Sequence, residues 1–473
     1  MADIDRKLVL LLNPPGDKTY LRDYYCSKVS KTDYIYQPTD LLLLSGILFQ
    51  DYDIQFIDAI ADRMSIEKCK DKILKINPDI IVFLTGSVSK NIDFEFIKDV
   101  KGEMNRLGKN IILIGTGDVF MEGTPKVLQE NDFIDAALLD FTTPDILVYL
   151  QGGEPSNMIY RKDGKVVVGV TPRDRWKNFE VPIPRHELFK NKAYKYPFVR
   201  KYPFATVLTD YGCPFRCSFC IMSEIGFKTR GVKSVVEELS YLKKLGFKNI
   251  YFNDQTFGTN RVRAAEICKA MIENKFGFGW VCFSRADVMN EELLLVMKQA
   301  GCHTIMFGVE SGSQEILNRY QKDLTKDQLR AVFALCKKHG VRTLGTFIIG
   351  LPGETRETVE ETLNFSIELN PDFVAFNVPV PRMGTDLRKE ALESELITPS
   401  FDVMDQSGSY VTFKTTNLST QDIAAYKKRA VMEFYLRPNY IFHQMQNIKS
   451  YEDFKAYVNN GYFLFKNLFS WSR

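Results

Sequence analysis

Three cysteines define the chemistry open to this sequence. Cys213, Cys217 and Cys220 lie within the eight residues CPFRCSFC, close enough for three thiolates to bind three irons of a cubane iron–sulfur cluster. Such a set leaves the fourth iron without a protein ligand, and an open coordination position is what lets a metal site take up a substrate. A structural zinc site would want a fourth ligand close by. None follows, and His186, His303, His339 and His443 are scattered. Pro214 and Arg216 inside the motif, and the strand-like run just before it, put the cysteines in a functional loop at a strand's carboxyl end.

The elements that must hold this loop follow from hydrophobic periodicity. Strand-like runs at 204–209, 249–253, 280–284, 303–308, 343–349 and 373–378 alternate with helical patterns at 234–245, 263–274, 291–300, 327–339 and 357–368. Six strands in βα alternation are two short of a complete (β/α)8 barrel. Residues 201–400 are therefore expected to form a partial (β/α)6 barrel, open on one side, where a large cofactor or a partner domain can dock. Residues 1–150 alternate in the same way. Strands are expected at 8–12, 54–57, 80–84, 111–114 and 136–139, with helices near 41–48, 66–76, 94–106 and 125–130. That pattern implies an α/β, doubly wound, Rossmann-like domain whose ligand sits beyond the carboxyl ends of its strands.

Residues 151–200 read as a linker containing a hairpin over 158–170 that turns at Asp163-Gly164. Residues 401–473 read as a helical C-terminal region. Its aromatic residues (Phe434, Tyr435, Tyr440, Phe442, Tyr462, Phe463, Phe465, Phe469 and Trp471) admit two readings. They pack against the barrel's open side, or they line a site for a lipid-like or terpenoid substrate.

Composition removes several classes of function. A chain of 473 residues that is 45% hydrophobic and 26% charged is a folded protein of more than one domain. A net charge of +3 gives no footprint for a nucleic-acid partner. No apolar run is long enough for a transmembrane helix, and the opening MADIDRKLVLLLNPPG lacks the pattern of a signal peptide. Nine cysteines in such a chain point to metal binding or buried thiols instead of a disulfide framework. A cytoplasmic location is the expectation.

The CxxxCxxC spacing resembles that of the radical S-adenosylmethionine (SAM) superfamily. The resemblance implies a 4Fe–4S cluster that binds and reductively cleaves SAM, and an electron donor such as flavodoxin or ferredoxin. It also implies SAM contacts at the ends of successive barrel strands. Asp254 and Gln255 would meet the methionine amino group, although the commoner family version is Glu-rich and Gln255 departs from it. Arg285, in FSRAD, would pair with the methionine carboxylate through its fork. Glu310 and Ser311, in GVESGS, would bond the ribose hydroxyls. Ile349 and Val378 would pack the adenine, and Phe219 would cover the cluster.

A doubly wound domain ahead of such a barrel is similar to the cobalamin-binding radical SAM class, whose commonest activity is methylation of an unactivated carbon. Cyclisation, C–C coupling and rearrangement are its other outcomes. The loops that would hold cobalamin correspond to QPTDLLLLSGIL with Pro38, to LTGSVS with Thr85, Gly86 and Ser87, and to IGTGD with Gly115, Thr116 and Gly117. Small residues there would let backbone approach a flat, bulky ligand. The Asp-x-His-x-x-Gly motif that supplies a lower axial histidine is absent. Asp118 and Phe120 lie near that place, and the sequence does not choose between them. The substrate class implied is a small or lipid-like molecule. A methylthiotransferase has a similar layout but needs three cysteines ahead of the barrel, where this chain has only Cys26 and Cys69. A non-enzymatic cobalamin or redox sensor would want a DNA-binding module, and none is recognisable.

Overall fold

A computed structural model describes residues 6–30, 34–121, 125–169, 175–405 and 411–446. The chain forms two compact units. One gathers residues 1–30, 35–195 and 227–246, and the other gathers 31–34, 196–226 and 247–473.

The first unit is built on a seven-stranded sheet. Its five parallel strands, Asp53–Asp58, Leu8–Asn13, Ile80–Leu84, Ile112–Thr116 and Ala136–Leu138, lie side by side in that order. This is the 2-1-3-4-5 doubly wound order, which switches direction between Leu8–Asn13 and Ile80–Leu84 and exposes a crevice beyond their carboxyl ends. Both central strands are near-continuous apolar runs because helices cover both faces of a parallel sheet. Helix Thr39–Leu48 is buried along its whole length, including all four residues Leu41–Leu44. Each such leucine contributes about 1.5–3 kcal/mol by leaving water. Helix Ile66–Ile76 is the amphipathic contrast. It buries only Cys69 and Ile73, one turn apart, and starts at Ser65, whose hydroxyl accepts the Lys68 N–H.

The linker reading of 151–200 gives way in this unit. Met158–Lys162 pairs antiparallel with Ala136–Leu138, and Lys165–Val168 completes the sheet. The hairpin is claimed because Ala136–Leu138 would otherwise leave an unpaired edge. The chain then packs back onto the unit. The Arg185 N–H donates to Ser45 Oγ at 2.9 Å, and the Tyr194 hydroxyl donates to Asp58 at 2.8 Å. The expected hairpin end at Val170 lies outside the described residues.

The second unit holds six parallel strands in simple sequence order: Phe204–Val207, Asn249–Phe252, Gly279–Ser284, Cys302–Glu310, Arg342–Ile348 and Phe373–Asn377. This is the partial barrel. Its last strand is closed by side chains. The Tyr435 hydroxyl, at the end of helix Thr420–Tyr435, accepts the Val374 N–H at 3.0 Å and donates to the Val374 carbonyl at 2.8 Å. Tyr440 and Gln444 donate to the Asp372 carbonyl. Phe434 is fully buried, whereas Phe442 is 65% exposed. Packing therefore accounts for Phe434, Tyr435 and Tyr440, while Tyr462, Phe463, Phe465, Phe469 and Trp471 lie outside the described residues. None of the nine cysteines is in a disulfide. Among the described residues no helix is long and apolar enough to cross a membrane.

Candidate active site at the carboxyl ends of the barrel strands

The cysteine loop leaves the first barrel strand and is tied down at once. Asp254, two residues past the second strand, accepts the Thr209 N–H and hydroxyl, both at 2.6 Å, and the Asp210 N–H at 3.0 Å. Burial raises the Asp254 carboxyl above its ordinary range while these bonds pull it down. The carboxylate expected to meet SAM thus shapes the loop. Gly212, at φ +78°, supplies the left-handed turn that releases Cys213. Further on, the Ser218 N–H donates to the Tyr320 carbonyl at 3.1 Å and its carbonyl accepts the Leu387 N–H at 3.0 Å. Thr256 lies 3.7 Å from the Cys213 sulfur. Burial pushes the Cys213 thiol up, and bound iron would supply the charge that holds it as thiolate. Among the described residues no three His, Cys, Asp or Glu side chains converge on a single ion position. Thiolates that each take a different iron of a cubane have no need to.

Arg285 stands one residue past the third strand and is 4% exposed. Its Nε and Nη2 grip the Asp287 carboxylate at 3.0 and 3.1 Å, Nη2 also donates to the Lys322 carbonyl at 2.8 Å, and Nη1 donates to the Cys217 sulfur at 3.5 Å. The guanidinium lies 3.7 Å above the Phe215 ring, inside the cysteine motif. The fork expected to hold a methionine carboxylate is already occupied, because a carboxylate two residues away reaches it first.

Glu310 ends the fourth strand at φ +69°, beyond a register shift from Gly308. A non-glycine residue there is strained by about 1–3 kcal/mol. The bend swings its carboxylate onto the buried Lys322 ammonium at 2.8 Å. The pair lies across Gly308, where a Cβ would come within 2.3 Å of the carboxylate. Ser311 faces inward, 3.1 Å from the Thr362 hydroxyl, and accepts the Ser313 N–H. It ties the strand end to helix Arg356–Leu369. Gln255 is different: its Nε2 is buried with no partner among the described residues. Ile349 and Val378 are buried one residue past the fifth and sixth strands. Phe219 packs against Ile316, Tyr320, Ile348, Leu351 and Leu387. Sequence reasoning missed Glu354, whose Oε2 accepts the Gly350 and Leu351 N–H groups at 2.6 and 3.0 Å while Oε1 is buried without a partner among the described residues. Burial raises this carboxyl to about 7 against those two bonds. It also missed Asp287 and Lys322, which no local pattern marks as partners of Arg285 and Glu310.

The carboxyl edge of the first unit's sheet has its own polar construction. Arg22 and Asp93 form a fully buried ion pair joined by Ser89, and the Thr85 hydroxyl donates to Asp93 at 2.9 Å. Asp118 accepts the Ser27 N–H and hydroxyl and the Ser87 N–H. Phe120 belongs to the core with Phe83 and Phe94. Three of the small residues expected to admit a ligand are also closely approached by protein atoms. A Cβ on Gly86 would stand 2.5 Å from Ser27 Cβ, on Gly115 2.3 Å from the Phe120 ring, and on Gly117, at φ +116°, 1.9 Å from the Thr85 carbonyl. The loops crowd one another. Pro38 precedes helix Thr39–Leu48, and Asp40 on its first turn accepts the Thr116 hydroxyl at 3.2 Å. Oδ1 of Asp40 and Oδ1 of Asp23 are buried without partners among the described residues. Burial lifts the Asp40 carboxyl well above its ordinary range and raises Asp23 to about 6. The unit's one histidine, His186, holds Glu238 at 2.7 Å.

This strand order and cysteine loop define a radical SAM barrel behind a doubly wound domain. The profile of the Radical SAM superfamily matches residues 207–366. An uncharacterized methyltransferase of Pyrococcus horikoshii is 32% identical over 418 residues, covering 85% of this chain and 88% of that protein. The chain belongs to the radical SAM superfamily, whose barrel carries a 4Fe–4S cluster and uses SAM. It is also 27% identical over 362 residues to the anaerobic magnesium-protoporphyrin IX monomethyl ester cyclase of Rubrivivax gelatinosus, over 72% of this chain and 63% of the cyclase. Two solved structures share the fold. The radical SAM methyltransferase TsrM of Kitasatospora setae, with cobalamin and a [4Fe–4S] cluster bound, has a TM-score of 0.65 at 17% identity over 88% of this chain and 84% of TsrM. The cobalamin-dependent enzyme OxsB, with aqua-cobalamin and SAM bound, has a TM-score of 0.70 at 17% identity over 98% of this chain and 72% of OxsB.

Proposed function

We propose that this chain is a cobalamin-dependent radical SAM enzyme that methylates an unactivated carbon of a small-molecule or lipid-like substrate. The observation that carries the reading is the first unit's edge, where Asp23 and Asp40 each bury an oxygen that no group among the described residues satisfies. A buried polar atom without a partner costs about 1–3 kcal/mol, and a ligand rimmed with amide groups, as a corrinoid is, would satisfy both. Cys213, Cys217 and Cys220 hold the cluster, with Asp254 and Gly212 fixing the loop's entry. Gln255 Nε2 offers an unsatisfied donor to the polar end of SAM, and Ile349, Val378 and Phe219 offer apolar cover. Cluster, SAM and cobalamin together supply reductive SAM cleavage and methyl carriage, while the protein positions them and keeps water out. The electron comes from a low-potential donor of the flavodoxin or ferredoxin kind. A second reading, cyclisation or coupling without net methyl transfer, is favoured by the cyclase relative.

The test uses the full chain, reconstituted anaerobically with iron, sulfide and cobalamin, and given methyl-deuterated SAM with cell extract. A product carrying the deuterated methyl group is expected, together with 5′-deoxyadenosine. Deoxyadenosine without any labelled product would favour the second reading. Changing Cys213, Cys217 and Cys220 together to Ala should abolish the cubane absorption and all SAM cleavage. Cleavage that survived this change would sink the proposal.

A further inference from the structure

We infer that Arg285 is a positioning residue for the iron–sulfur cluster, setting how readily it is reduced, and not a clamp for the carboxylate of SAM. The inference rests on the reading of the three cysteines as cluster ligands. A guanidinium offers two edges on which a carboxylate can be held by parallel N–H bonds. The Nε–Nη2 edge is closed by Asp287 at 3.0 and 3.1 Å. The Nη1–Nη2 edge is split between the Cys217 sulfur at 3.5 Å and the Lys322 carbonyl at 2.8 Å. Neither edge is left for an incoming carboxylate.

The same contacts aim the cation at sulfur. Phe215, between Cys213 and Cys217 in the chain, lies under the guanidinium at 3.7 Å, so the cluster loop itself forms the arginine's seat. The Arg285 side chain is 5% exposed, whereas that of Asp287 keeps 22% exposure. Water therefore screens the aspartate more than the arginine, and the N–H that faces the sulfur acts in a region of low polarity. Reduction adds one negative charge, shared between the irons and their thiolate sulfurs. A donor and positive charge at a ligand sulfur stabilise that reduced form and raise the potential. The electron is supplied by the external one-electron donor, and no bond of Arg285 is made or broken.

The experiment compares wild type, Arg285→Gln and Asp287→Asn as full-length, anaerobically reconstituted proteins. Three quantities are read: iron and sulfide content, the cluster's midpoint potential from a redox titration followed by electron paramagnetic resonance, and SAM affinity by calorimetry. Arg285→Gln is expected to keep its irons, to shift the midpoint to more negative potential, and to bind SAM within about threefold of wild type, a difference below the tenfold that 1.4 kcal/mol represents. Asp287→Asn, which removes the negative charge paired with the arginine without touching the loop, should shift the potential the opposite way, to less negative values, and by less. An unchanged potential in both variants with clusters intact would overturn the inference, as would a tenfold or greater loss of SAM affinity in Arg285→Gln. If Arg285→Gln fails to hold a cluster, Asp287→Asn alone decides. A wild-type protein that took up no cluster would instead remove the reading on which the inference rests.

Discussion

Each unit buries an arginine–aspartate pair at the carboxyl ends of its parallel strands, and the two pairs are finished differently. In the first unit, Arg22 spends every N–H on protein: Asp93 and Ser89, the Asn13 side chain, and the carbonyls of Pro14 and Pro15. Both side chains of the pair are wholly shielded from water. In the barrel unit, Arg285 directs one arm to a cysteine sulfur, and its aspartate is partly exposed. A saturated pair is a fastener. A pair that points at a reactive atom is part of a site. The same distinction separates Asp93 and Asp254, whose oxygens are occupied, from Asp40 and Glu354, each of which buries an oxygen with no partner.

The largest effect should come from breaking the fastener. Arg22→Ala strands the Asp93 carboxylate and several carbonyls in the interior, and removing one partner of a buried pair costs about 3–5 kcal/mol. Arg285→Gln should cost clearly less, because Asp287 keeps access to water. Denaturant unfolding of the apoproteins measures both. A loss for Arg285→Gln equal to that for Arg22→Ala would erase the contrast.

A middle-sized effect is expected at Asp40. Asp40→Leu removes an unsatisfied buried oxygen but also an acceptor for Thr116, so apoprotein stability should change by no more than about 1 kcal/mol. Retention of cobalamin, followed by absorbance after gel filtration, should weaken by about tenfold, or ~1.4 kcal/mol. Undiminished retention would make Asp40 a tolerated defect of the core, like any other buried polar atom.

A slope with pH is expected at Glu354, spread over more than two pH units. Burial holds Glu354 at about 7 instead of the ordinary 4.5, so the folded chain keeps a proton that the unfolded chain releases between those values. Stability should fall as pH rises through that window and level off above it, by about 3 kcal/mol in all. Glu354→Gln, which can still accept the Gly350 and Leu351 N–H groups, should flatten the slope. A slope unchanged in the variant would assign it to other carboxyls.

Much of this was legible in the chain. Alternating apolar runs announced the order of the strands, because period two and period 3.6 are local properties that each segment carries by itself. They also located Asp254, Arg285, Glu310, Ile349 and Val378 within two residues of strand ends, since a residue's place along a strand needs no knowledge of its neighbours. The hairpin after residue 157 was visible too, but not its attachment to the edge strand Ala136–Leu138, which depends on where an open ladder lies in space.

By itself, then, the sequence determined the class of chemistry, through three cysteines at a fixed spacing in one loop, and the two α/β architectures that present it. Tertiary structure alone decided which groups pair. Asp254 turned to Thr209, Ser311 to Thr362 and Arg285 to Asp287 and Cys217, and Gly86, Gly115 and Gly117 proved to be crowded by neighbouring protein atoms. The physical reason is that a buried polar group must find its partner among whatever the fold brings within about 3 Å. That set comes from other strands and turns, tens of residues away along the chain.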